Sequence, residues 1–148
     1  MPRKKPKIIL LLILLLAATA VAVCLLYPRP GKTLFLNGQK ISLELAMTPA
    51  QQTQGLSFRP NLCPTCGMLF VFDKPQNQKF WMKDMNFPLD LIWLNNNKIV
   101  QLDKNLPPEG AMPKDFYPSR QLIDGVLEVN AGFADQYKLQ VGQQLDIK

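Results

Sequence analysis

The residues with the most chemical potential are concentrated between Phe80 and Asp90, which read FWMKDMNFPLD. An indole, an ammonium, two carboxylates and two thioethers lie close together there. In an extended segment side chains alternate, so Phe80 and Met82 would share one face while Trp81 and Lys83 share the other. The first pair suits a core. The second suits a half-exposed surface, where an indole packs and still presents its N–H. With Arg59, Asp90 and Glu128, the pair Trp81 and Lys83 would form a groove of mixed charge over an aromatic floor. A small polar ligand such as a sugar or a carboxylate needs that combination. Taken one at a time, each charge is accounted for by a salt bridge or a turn.

Two other chemistries use the same residues. Met82 and Met85, with Met68 on a preceding strand, offer thioethers to Cu(I), although methionine in an apolar run usually fills a core. The chain has no histidine, which removes a common metal ligand and the usual acid–base group at neutral pH. Asp90 and Glu128 would suit a carboxylate-based hydrolase only if the fold brought them together. No nucleophile–base pair, phosphate loop or metal triad is visible, so no catalytic residue, cofactor or resident metal is expected. Cys63 and Cys66 enclose Pro-Thr and are followed by Gly67 and a strand, not by a helix whose dipole would activate a thiol. A tight structural disulfide is the expectation, ahead of labile thiols and of a metal half-site.

These residues need elements to position them. Asn37-Gly38 between two apolar runs signals a hairpin. Thr48, Pro49, Gln51 and Gly55 mark a compact helix with a capping box and a glycine stop. GMLFVF reads as a strand buried on both faces, and LDLIWL and KIVQL flank Asn95-Asn96-Asn97 as a second hairpin. From Asp103 to Arg120 the period is lost among four prolines, predicting a long surface loop. GVLEV is a further strand, NAGFADQY a short helix capped by Asn130, and GQQLDI a closing strand. The expected fold is mainly β: a small sandwich or partly open barrel with one or two short helices, preceded by an N-terminal hydrophobic helix.

That preceding helix is the apolar run Ile8–Tyr27, behind a basic n-region at residues 1–7. At about 1.5 Å per residue it would span roughly 30 Å, a bilayer core. Small residues at Ala18, Ala20 and Ala22 also fit a signal-peptide cleavage site, so the run is read as a transmembrane anchor or a removed signal. Either way the basic flank predicts a cytoplasmic N-terminus and an extracytoplasmic domain over 33–148, after a linker at 28–32. The net charge of +6 owes much to Arg3, Lys4, Lys5 and Lys7. From Arg29 onward 13 basic residues face 11 acidic ones, which is no nucleic-acid footprint.

The stretches QGLSFRPNLCPTCGMLFVFDKPQNQKFWMKDMNFPLDLIWLNNNKIV and VLEVNAGFADQYKLQVG resemble the bacterial and archaeal family known as domain of unknown function 192. The likeness covers about Ile41 to Ile147 and rests on GL before Arg59, GMLFVF, FWMK, PLD, VLE and AGFAD. It implies a small mainly β domain of sandwich type, often behind a signal or anchor, with no established activity. The chain departs from the family pattern at CPTC and at Met85. The resulting expectation is a membrane-anchored extracytoplasmic domain that binds a small polar ligand or a protein partner.

Overall fold

A computed structural model describes residues 31–148. The basic n-region, the apolar run 8–27 and most of the linker lie outside the described residues, and no described helix is long and apolar enough to cross a membrane. The chain forms β1 (Gly31–Leu36), β2 (Gln39–Ala46), α1 (Pro49–Gln54), β3 (Cys66–Gln76), β4 (Lys79–Phe80), β5 (Leu89–Asn95), β6 (Lys98–Leu106), β7 (Tyr117–Pro118), β8 (Ile123–Asn130), α2 (Phe133–Gln136) and β9 (Asp146–Ile147). Seven strands make one curled sheet in the order β6-β5-β8-β3-β2-β1-β9, and β4 and β7 pair as a separate ribbon.

Local chemistry explains the connections. Asn37 and Gly38 take φ of 49° and 79°, the left-handed pair that a tight two-residue hairpin turn needs. Asn96 and Asn97 do the same between β5 and β6. The parallel pair β2–β3 cannot be joined by a hairpin and needs a crossover, which α1 and the cysteine loop supply. Thr48 and Gln51 form the expected capping box, and Gly55 ends α1 at φ 51°.

Each face of the sheet carries its own core. The inner face holds Leu34, Ile41, Leu43, Leu69, Ile92, Leu94, Leu127 and Val129, covered by Phe133 and Ala134 of α2 and by Leu145 and Ile147 near the C-terminus. The outer face holds Met68, Phe70, Leu91, Trp93 and Val126, covered by Leu56 after α1 and by Met82 and Met85. The final residues also draw the two sheet edges together. β9 pairs with β1, while Gly142 donates to the Ile99 carbonyl at 2.7 Å and Ile99 donates to Gln143 at 2.9 Å. The result is a curled half-barrel rather than a two-sheet sandwich.

Three sequence expectations change. The stretch from Asp103 is not loop at its start, because β6 runs on to Leu106, and β7 interrupts it near its end. The strand through Phe80–Lys83 stops at Phe80. Beyond it, residues 82–85 bond instead to residues 109–110 through Glu109 N to Met82 O at 2.9 Å and Met85 N to Glu109 O at 3.2 Å. Asn130 does not cap α2: Gly132 holds that position without a side-chain bond. The Asn130 amide donates to the carbonyls of Leu62 and Cys63, each at 3.1 Å.

Candidate functional site

The outer face carries a row of adjacent residues across three strands: Glu44 on β2, Met68 on β3 and Glu128 on β8. Glu128 is 5% exposed, and its Oε2 has no hydrogen-bond partner. Burial pushes its carboxyl up to about 8, against the opposing pull of the nearby Arg59 guanidinium. Arg59 itself is held by Glu44 in a two-pronged pair, Nη1 to Oε1 at 2.6 Å and Nη2 to Oε2 at 2.9 Å. The carboxylate of that row with strong hydrogen bonds from Arg59 is therefore Glu44.

Above Glu128 sits the C-terminal end of α1. A Cβ on Gly55 would lie 3.2 Å from a Phe70 ring carbon and 3.5 Å from Glu128 Oε2. Glycine thus serves twice there, taking a positive φ and letting the backbone approach the carboxyl. Gly67 does a related job on β3, where a Cβ would come within 2.9 Å of the Glu128 carbonyl oxygen. Between α1 and the sheet lies a cavity of about 240 Å³, lined by Gln52, Gly55, Phe70, Phe72, Phe80, Trp81, Met85 and Glu128 among others. Phe80 stands edge-on to both Phe70 and Trp93, with centroids 4.9 and 5.3 Å away, which fixes one wall.

Outside the cavity a shallow groove continues past Trp81 to Phe58, Lys83 and Asp84. Phe58 is 71% exposed and has φ of 65°, an uncommon conformation for a bulky residue. Its N–H donates to the Asp84 carbonyl at 2.8 Å, and Ser57 Oγ donates to the Lys83 carbonyl at 2.8 Å. The Asn86 amide reaches the Arg59 carbonyl at 2.8 Å. These bonds lace the turn after α1 to the 83–86 segment and set the mouth of the cavity.

Four of the five residues singled out from sequence meet on this face. Trp81 and Glu128 line the cavity, Lys83 lines the adjoining groove 3.7 Å from Asp84, and Arg59 stands beside Glu128. Asp90 is not with them. In the β5–β8 register Glu128 faces Leu91, so Asp90 points to the opposite side of the sheet. There its two oxygens accept from Asn105 N at 2.8 Å and Ala134 N at 2.9 Å in a fully buried setting. Asp90 and Glu128 therefore form no carboxylate pair, and the hydrolase alternative loses its geometry. Met68, Met82 and Met85 are all buried within the outer core, where packing accounts for them. Among the described residues no group of three or more His, Cys, Asp or Glu is placed to hold a metal.

Cys63 and Cys66 are joined as a disulfide with Cα atoms 5.1 Å apart, at the entry to β3 and away from the cavity. Sequence reading missed Gly55, Gln52 and the phenylalanines of β3 as site residues. The phenylalanines read as core because they are core on one edge and cavity wall on the other. Gly55 carried a usable signal, a helix stop, but nothing in the sequence says what lies beneath it.

Comparison with known proteins agrees with this architecture. A family model described as Uncharacterized ACR, DUF192, matches residues 32–147. A structure from Sinorhizobium meliloti 1021, described as a candidate transcription regulator, is 29% identical with a TM-score of 0.71, covering 81% of this chain and 94% of that one. A protein of unknown function from Novosphingobium aromaticivorans DSM 12444 is 28% identical with a TM-score of 0.68, covering 78% of this chain and 83% of that one. A search of curated proteins finds no match. With the family match spanning nearly all of the described residues, the chain belongs to the DUF192 family of uncharacterised domains.

Proposed function

We propose that this chain is a binding domain, carried on the outer side of a membrane by residues 8–27, that takes up a small ligand in the cavity beneath α1 without transforming it. The observation that carries the reading is Glu128 Oε2, a buried oxygen beside an aromatic cavity with no hydrogen-bond partner. Leaving such a group unpaired costs roughly 1–3 kcal/mol or more, a cost that a ligand supplying the missing bond would remove. Perturbed, unsatisfied carboxyls of this kind concentrate at functional sites. Binding is favoured over catalysis because Lys79 and Glu128 are the ionisable residues lining the cavity, and the Lys79 ammonium sits over the Phe116 ring, 4.6 Å from its centroid. Among the described residues Glu128 is the one carboxyl lining the cavity, where a glycosidase or similar hydrolase would use two. The balance of 13 basic and 11 acidic residues from Arg29 onward gives no support for carrying over the regulator description of the Sinorhizobium protein.

Thermal melts of the wild type and Glu128→Gln against a panel of small amines, carboxylates and sugars test the site. A bound ligand at a hundred times its Kd adds about 2.7 kcal/mol, so a modest binder shifts the wild-type melt and not the variant's. A panel that moves neither protein removes the ligand reading. For the anchor, a reporter fused after residue 30 should be membrane-bound and face outward, whereas a soluble mature product would show a cleaved signal.

A further inference from the structure

We propose that the ligand is a small organic amine bound as its ammonium ion, with its charge at Glu128 and an aromatic or alkyl body against Phe70, Phe72, Phe80 and Trp81. This rests on the cavity being a binding site, and it names the ligand from the cavity's chemistry. The carboxyl receives no N–H or O–H from the protein at Oε2, so its ionised form has a buried acceptor position that a donor on the ligand would fill. An ammonium supplies several donors at one point, which suits an acceptor-only carboxylate. The walls fit the same ion. Phe70, Phe72, Phe80 and Trp81 line the cavity, and aromatic faces attract a desolvated cation.

The surrounding charges leave room for it. On β2 and in the turn after α1, Glu44 and Arg59 are joined to each other through both oxygens. The Lys79 ammonium on β4 rests over Phe116, and Lys83 is paired with Asp84 at the mouth. The segment of α1 above Glu128, Gln52 to Gln54, carries no charge, and the neighbours of Glu128 across β3 and β5 are Met68 and Leu91. Beyond Leu91, Asp103 on β6 is engaged by Trp93 Nε1 and Gln101 Nε2. Glu128 is thus the ionisable group at the cavity with an unfilled hydrogen-bonding position. Size sets the class further: about 240 Å³ exceeds the roughly 150 Å³ of a cavity that encloses benzene, leaving space for one ring and a short aminoalkyl chain.

Linkage gives the proposal a sign. The Glu128 carboxyl, raised to about 8 by burial, is mostly protonated at neutral pH in the empty domain. An ammonium ligand has to displace that proton, so its affinity should climb as the pH rises from 6 to 8 and level off above. A carboxylate or neutral acceptor would use the protonated form, so its affinity would change little up to about pH 7 and fade through and above pH 8.

The test is calorimetric titration of the full chain in detergent with phenethylamine, 3-phenylpropionate and 2-phenylethanol at pH 6, 7, 8 and 9. Phenethylamine should bind best, gaining a few tens-fold between pH 6 and 8. Glu128→Gln should lose both the binding and its pH dependence, while Trp81→Ala weakens binding and keeps the pH dependence. Preferred binding of phenylpropionate or phenylethanol, fading above pH 8, would overturn the amine assignment while leaving the cavity as a binding site. So would amine binding that is indifferent to pH or survives Glu128→Gln. Failure of every probe to bind would remove the amine assignment together with the cavity reading.

Discussion

A single buried carboxyl makes the stability of this domain depend on pH in an unusual direction. Most carboxylates in folded proteins are stabilised as anions, and their proteins lose stability as the pH falls. Glu128 is held the other way, its folded value raised from 4.5 to about 8 chiefly by burial. The folded state therefore binds its proton more tightly than the unfolded chain does. The stabilisation is complete below about pH 4.5 and is lost progressively as the pH rises to about 8. Urea denaturation should show a decline on the order of a few kcal/mol across that window. Glu128→Gln should flatten it and be the more stable protein at pH 8. A wild-type profile that rises through the window would show Glu128 to be ionised and paired. The sequence marked Glu128, Trp81, Lys83 and Arg59 because polar and aromatic types among apolar runs are visible as types. It could not separate Glu128 from Asp90, since the two sit on different strands and their relative facing depends on register.

At the scale of elements, Asp90 does work that looked like ligand chemistry. From the inner face of β5 it accepts the N–H of Ala134 in α2 and that of Asn105 near the end of β6. A helix as short as α2 has little stability of its own, and with no side-chain cap at Gly132 this distant carboxylate fills that role. Asp90→Ala would leave the buried Ala134 N–H and the part-buried Asn105 N–H without their acceptor and should cost about 2–3 kcal/mol in denaturant titrations. Any ligand-induced shift from the outer cavity should survive in the variant, because the sheet lies between. Loss of binding with unchanged stability would instead place Asp90 in the site. The elements that were legible carry their own local chemistry: Asn37-Gly38 at one turn, Asn96-Asn97 at another, and Thr48 with Gln51 at the start of α1. Those that were misread depend on distant partners. The 82–85 segment takes its shape from bonds to residues 109–110, and Asn130 spends its amide on the cysteine loop.

The molecule as a whole is held closed by its last seven residues. A curled sheet with free edges at β1 and β6 would expose unpaired backbone and open the inner core to water. The C-terminal segment occupies both edges at once: Thr33 donates to Lys148 O at 2.8 Å, Ile99 donates to Gln143 O at 2.9 Å, and Leu145 donates to Asn97 O at 2.9 Å. Leu145, only 3% exposed, fastens this strap to the inner core. The sequence showed a closing strand there but not its two partners, which are about 40 and 110 positions away in the chain. Because one strap serves two edges, weakening it should loosen both together. Leu145→Ala should cost about 2–5 kcal/mol through lost burial and a cavity. In native-state hydrogen exchange the amides of Thr33 and Ile99 should lose protection in step, while those of β8 at the sheet centre retain more. Exposed Val141, just before the strap, provides the control, since Val141→Ala should alter neither edge. If Leu145→Ala released Thr33 without Ile99, or the reverse, the two edges would be closed independently and the half-barrel would not depend on a shared strap.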